Sequence, residues 1–222
     1  MLKPRRRLTK REVKEDGLVT FAFQATAFVQ NHWSRIVAGL IAVVVLIGIG
    51  TVWSKYRKAQ ETQAEELLAD ANIALANGDT VRAMDLYRKL TEQYHGTHAG
   101  RWGYVAMGNV AFEQRKCEEA ERAFREYLRR GGDDPIRVFT CYEGIAACLE
   151  NRGAYAKAAE EYRTFAHAYK DSPFAGQALL DAARCLMLAG LNDEARAALK
   201  EIIEAYPQSQ VSYEAKSRMR ML

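Results

Sequence analysis

The stretch "GDTVRAMDLYRKL" (residues 78–90) has three counterparts along the chain: "RKCEEAERAFREYL" (115–128), "GAYAKAAEEYRTF" (153–165) and "GLNDEARAALKEI" (190–202). Stacked on a central alanine (Ala83, Ala120, Ala158, Ala195), they are separated by 37, 38 and 37 residues. Self-similarity at such a period marks an array of small supersecondary units, none of which buries its apolar face alone. Each unit reads as two helices. In the second, Tyr104, Met107, Gly108 and Ala111 fall on one helix face, and Ala120, Phe124 and Tyr127 on the next. Small residues let the helix axes approach and large ones fill the grooves between them, as ridges-into-grooves packing requires. Gly78, Gly153 and Gly190 sit where a first helix must stop.

The other units repeat the pattern with Tyr142, Ile145, Ala146, Leu149, Tyr162 and Phe165, and with Leu179, Ala183, Leu186, Leu199, Ile202 and Pro207. The first is the poorest match: Leu67, Ala71, Ala74, Tyr87 and Leu90. This resembles the tetratricopeptide repeat, whose pattern runs large residue, Leu-Gly, Tyr, then Ala, Phe, Ala and Pro. The resemblance implies an all-α solenoid of about four helix pairs. The units lie at about 64–100, 101–138, 139–175 and 176–210, with a closing helix over 211–222. Three junctions place a Tyr three residues before Ser or Thr, and Ser172 with Pro173 predicts a cap followed by a first-turn proline.

Upstream, "SRIVAGLIAVVVLIGIGTVWSK" (34–55) carries no charge between Arg35 and Lys55. Its 18 most apolar residues, 36–53, reach about 27 Å at about 1.5 Å each, close to the roughly 30 Å hydrocarbon core. No polar stripe interrupts them at helical spacing, so this predicts a transmembrane helix over 35–54 rather than the core helix of a soluble domain. The stretch before it is longer, and the apolar core longer, than a cleavable signal uses. Trp33 and Trp53 flank the run as interfacial anchors.

Residues 1–34 form a basic tail. Up to Arg35 it holds eight Lys and Arg against three Asp and Glu, whereas residues 55–222 hold 24 against 25. The whole chain's net charge of +4 therefore belongs to the tail, and a nucleic-acid footprint on the large domain is not expected. Charge asymmetry puts the tail in the cytoplasm and residues 55–222 in the periplasm of a bacterial inner membrane. Leu18, Phe21, Ala22, Ala25, Phe28 and Val29 share one helical face, which predicts an amphipathic helix over 17–32. It would lie on the membrane or dock on a partner, with "NHWSR" (31–35) as a break before the span, and Phe21, Phe28, Trp33 and Trp53 as its interface contacts. No breaker follows the span, so it should run on into the first repeat helix.

Chemistry is scarce. His95 and His98 lie in an inter-repeat loop without a cysteine or carboxylate ligand beside them, and no nucleophile–base pair, phosphate loop or zinc spacing stands out. No catalytic residue, metal ligand or cofactor is expected. Of the four cysteines, Cys141 and Cys148 are too far apart along one helix to bridge. Cys117 and Cys148 stay open as a pair, against their reading as small buried thiols.

In tetratricopeptide solenoids the first helices line a concave groove. The resemblance assigns Leu68, Asn72, Trp102, Val105, Asn109, Phe112, Arg184 and Met187 to it, with Thr140, Glu143, Ala147 and Glu150 between. Leu68 and Val105 stand where a carboxylate-clamping cation would be, so a clamp is not expected. An apolar groove around Trp102 and Phe112 suits an unfolded or amphipathic segment. Tail, anchor and external long-period repeats together resemble the YfgM-type family. That resemblance implies a non-catalytic scaffold near the Sec translocon, with translocon subunits, periplasmic chaperones or unfolded exported segments as partners and room for self-association. The alternatives are an assembly factor for an outer-membrane or cell-division complex, and a regulator of a periplasmic enzyme.

Overall fold

The computed structural model describes the backbone from Lys10 to Leu222, and the side chains at 21, 26, 32–35 and from 37 onward. The described residues form helices only: α1 Lys10–Ala76, α2 Thr80–Gln93, α3 His98–Glu113, α4 Cys117–Arg129, α5 Pro135–Asn151, α6 Tyr155–Ala168, α7 Ala175–Leu188, α8 Asn192–Ala205 and α9 Gln210–Met219. The chain divides into two compact units, Met1–Arg57 and Lys58–Leu222.

In the first unit, α1 contains a stretch long and apolar enough to cross a membrane, and none of that window is buried by protein. Leu40, Val44, Leu46 and Ile49 all face outward. The expected break at "NHWSR" is absent: residues 31–35 are helical. Nothing in that run removes a backbone donor, as a proline would. Of the expected amphipathic face, only Phe21 is among the described side chains.

In the second unit the end of α1 pairs with α2, α3 with α4, α5 with α6, and α7 with α8, while α9 packs on α7 and α8. All four pairs turn the same way. The N–H groups of Gly78, Arg115, Gly153 and Gly190 donate to carbonyls three residues back, and those of Asp79, Lys116, Ala154 and Leu191 to carbonyls five back. That is a Schellman ending, which needs a left-handed residue just beyond the helix. The four residues have φ of +79°, +60°, +73° and +75°. Three are glycine; the second unit accepts arginine there.

The anchoring alanines Ala83, Ala120, Ala158 and Ala195 have no exposed surface. Tyr87, Phe124, Tyr162 and Leu199 follow one turn later, all buried. Phe124 lies between two glycines on neighbouring helices. A Cβ on Gly108 of α3 would stand 2.4 Å from its ring, and one on Gly144 of α5 2.3 Å.

At the Tyr-x-x-Ser/Thr junctions, the carbonyls of Tyr94, Tyr169 and Tyr206 accept from the N–H of Thr97, Ser172 and Ser209. Thr97 and Ser209 then cap α3 and α9 through their side chains. Ser172 departs from expectation. Its hydroxyl accepts from Phe174 N–H at 3.3 Å, and its carbonyl accepts from Ala175, so an extra turn intervenes before α7 starts at Ala175. The cap with a first-turn proline occurs instead at Asp134–Pro135, where Asp134 accepts from Ile136 and Arg137 N–H. A further cap comes from a distance: the Glu61 carboxylate of α1 accepts from both His98 and Ala99 N–H at 3.1 Å. A negative charge there meets the positive end of α3.

Candidate functional site: a polar cleft on the first-helix face

The first helices of units two to four open a cleft of about 410 Å³. Asn109 and Phe112 of α3 form one wall. Thr140, Glu143, Ala147, Glu150 and Asn151 of α5 form the floor, and Arg184 of α7 closes the far side. Residues three or four apart on a helix share a face, which is why α5 contributes at 140, 143, 147 and 150–151.

The far wall is a polar network. Arg184 donates to both Glu150 oxygens, at 2.7 and 2.9 Å, and its Nε to Asp181 at 3.3 Å. Gln177 donates to Asp181 at 2.9 Å, and Tyr162 from the second-helix layer donates to Glu150 at 3.3 Å. The fork geometry of a guanidinium on a carboxylate is the strong form of such a contact. It holds the Glu150 carboxyl below its ordinary range. Glu143 lacks such a partner: burial, and then the Asp181 charge, push its carboxyl upward. Glu150 and Asp181 thus share one guanidinium while Glu143 stands beside them without one, and the cleft favours a positive charge.

The residues assigned to the groove from sequence occupy different environments. Asn109 and Phe112 line the cleft, as does Arg184, whose charge is already bound to Glu150. Val105 is 6% exposed and sits in the core. Trp102 is half-buried beneath Arg137, whose guanidinium carbon is 3.5 Å from the ring centroid. Asn72 accepts the Tyr87 hydroxyl at 2.6 Å. Leu68 packs on the two clusters around the first repeat and Met187 on the larger core. Phe21, Trp33 and Trp53 are exposed in the first unit, with Trp53 and Tyr56 ring centroids 6.4 Å apart, while the Phe28 side chain lies outside the described residues.

Sequence reasoning missed Gly144, Asn151 and Asp181. Gly144 has no register equivalent among the glycines of the other units, and its need is set by a ring from another helix. Asp181 and Gln177 at i, i+4 on a first helix were a usable signal. The histidines are held by ordinary surface contacts: Arg101 lies 2.9 Å from His98 Nδ1, and His95 Nδ1 is 3.3 Å from the Glu92 carbonyl.

Comparison with known proteins accords with this architecture. The tetratricopeptide repeat-like domain family matches residues 26–141, and the tetratricopeptide repeat family matches 144–218. Comparison with curated proteins finds no match. Among solved structures, a tetratricopeptide repeat protein from Parabacteroides merdae ATCC 43184 is similar with a TM-score of 0.55 at 18% identity. The similarity covers 71% of this chain and 59% of that one, so this chain spans less than two thirds of that structure's length and the likeness speaks for the fold. With one family model spanning more than half of its residues and another most of the remainder, the chain belongs to the tetratricopeptide repeat-like proteins.

Proposed function

We propose that the protein is a membrane-anchored, non-catalytic interaction scaffold of the bacterial envelope that holds exported chains or periplasmic chaperones near the Sec translocon. Family membership supports the protein–protein role, since such repeats generally bind other proteins. The unburied apolar stretch of α1 supports the anchor, and the cationic tail before it supports an N-terminus inside and repeats outside.

The observation that carries the binding role is the cleft across α3, α5 and α7. Asn109 offers a donor and an acceptor to an extended backbone, Thr140 and Asn151 offer acceptor oxygens while their donors go to the Ile136 carbonyl and Cys117 Sγ, and Glu143 offers a carboxylate without a guanidinium fork. This chemistry suits an extended segment bearing lysine or arginine. Of the apolar groove expected around Trp102 and Phe112, it keeps Phe112 as a wall and adds a polar floor.

The test is affinity purification of the full chain from native membranes in mild detergent, with mass spectrometry of what co-purifies. Translocon subunits recovered with periplasmic folding factors, and lost with Glu143→Lys, support the proposal. Recovery of outer-membrane or division components in their place overturns it in favour of an envelope assembly factor.

A further inference from the structure

All four cysteines are free thiols, and three of them, Cys141, Cys148 and Cys185, are buried. Their neighbours differ. Cys141 is enclosed by apolar core, and Cys185 lies against the Glu150 carboxylate. Cys148, in the last turn of α5, interacts electrostatically with the Cys117 thiol of α4. A direct contact places Cys117 against the same end of α5: Asn151, one turn beyond Cys148, donates to Cys117 Sγ at 3.8 Å. Among the described cysteines, this is where two thiols meet.

Access is one-sided. Cys148 has no exposed surface, whereas Cys117 is partly exposed and lines a surface cleft of about 580 Å³. Arg115, Lys116, Arg122 and Arg152 surround that cleft along with Glu118 and Glu119. Arg152 is paired with Glu121, and the remaining cations, Arg115, Lys116 and Arg122, suit a small disulfide carrying carboxylates, such as oxidised glutathione. Burial pushes the Cys148 thiol up to about 12, so it is a poor first nucleophile.

We propose that Cys117 and Cys148 are a redox pair that forms a disulfide joining α4 to the end of α5, with Cys117 as the entry thiol. The oxidant is a small-molecule or protein disulfide. Cys117 sulfur attacks one of its sulfurs, the S–S bond breaks, and one thiol leaves with the proton that Cys117 gave up. Cys148 then attacks Cys117 Sγ in the mixed disulfide, and a second thiol leaves with the Cys148 proton. Two protein thiols are oxidised and one disulfide is reduced to two thiols. The bond crosses from unit two to unit three, so it would strengthen the nearest-neighbour interface on which a solenoid depends.

The test uses the reduced full chain in mild detergent, equilibrated with oxidised glutathione, quenched in acid, unfolded and alkylated for mass spectrometry. The expected result is four alkylated thiols before oxidation and two after, with the peptides of Cys117 and Cys148 linked and separated again by dithiothreitol. Cys117→Ser, at a partly exposed position, should keep every remaining thiol alkylable. Cys148→Ala should trap glutathione on Cys117 as a stable mixed disulfide. Four alkylable thiols after oxidation would overturn the proposal. So would a linked pair containing Cys141 or Cys185, or a mixed disulfide at Cys117 that persists in the wild-type chain.

Discussion

Gly108→Ala sets two effects against each other at one atom. An alanine inside a helix is ordinarily worth about 1 kcal/mol over glycine. Here the new methyl would stand 2.4, 2.6 and 2.8 Å from three carbons of the Phe124 ring, where carbon pairs prefer about 3.5–4.0 Å. The ring needs to retreat by about 1 Å, yet the backbone of α5 at Gly144 lies against its other edge. Overpacking a core of this kind costs about 1–3 kcal/mol, so the helix gain is cancelled or outweighed and the net effect is a loss of up to about 2 kcal/mol. Leucine already stands at the equivalent position of the fourth unit, Leu199. Phe124→Leu alone should cost about 1–2 kcal/mol through the space it leaves. In the Gly108→Ala background that space receives the methyl, and the double variant should be more stable than the sum of the single losses predicts by about 1 kcal/mol or more. Urea unfolding of the full chain in mild detergent, followed by far-ultraviolet circular dichroism, reads the four corners of this cycle. Stabilisation by Gly108→Ala, or simple additivity with Phe124→Leu, would refute the sandwich.

Arg115→Gly should stabilise the chain by about 1 kcal/mol in the same assay, because a left-handed residue with a Cβ costs about 1–2 kcal/mol and glycine's extra chain entropy offsets part of the gain. Gly153→Ala should lose a similar amount; equal behaviour of the two sites would contradict the Schellman reading. Arg184→Met removes the fork on Glu150 and should cost about 1 kcal/mol, kept small by partial exposure. It should also flatten the acid limb of a stability–pH curve. The Glu150 carboxyl is depressed in the fold, so its contribution is present above the ordinary glutamate pKa and is lost as pH falls through the depressed value. An unchanged acid limb would mean that Glu150 is held by something else. Glu61→Gln weakens the charged cap on α3 and should cost about 0.3–1 kcal/mol, read as faster hydrogen exchange at the His98 and Ala99 amides.

The parts of the fold that repeat could be read from the sequence, because each repeated residue answers a local demand. Ala83, Ala120, Ala158 and Ala195 mark where helices touch, and Gly78, Gly153 and Gly190 mark where they stop. What escaped was set by partners in other units. The restriction on Gly144 comes from Phe124, twenty residues away on another helix. Arg115 occupies a glycine's conformation with an arginine's name, so a reading by residue type passes over it. The expected break at "NHWSR" rested on polarity, and polarity alone does not interrupt a helix whose backbone donors are all satisfied.

The groove residues divide for a related reason: Asn109, Phe112 and Arg184 line the cleft, while Trp102 and Val105 do not. Trp102 and Val105 fall on the correct helix, but first helices in a solenoid have two neighbours, and a face read as open can be covered by the next unit. Arg137 covers Trp102, and Val105 turns into the core. The face that stays open runs from Asn109 and Phe112 at the end of α3 across α5, where Thr140, Glu143, Ala147 and Asn151 are too small or too polar to be drawn inward. In such an array the apolar residues on a first helix are the ones most readily consumed by stacking, and the residues left to meet a partner are those that packing has no use for. Recognition in this chain should then rest on charge and hydrogen bonds, and binding should weaken with added salt far more than with truncation of Trp102. A binding surface that ignored salt but failed with Trp102→Ala would return the apolar groove to favour.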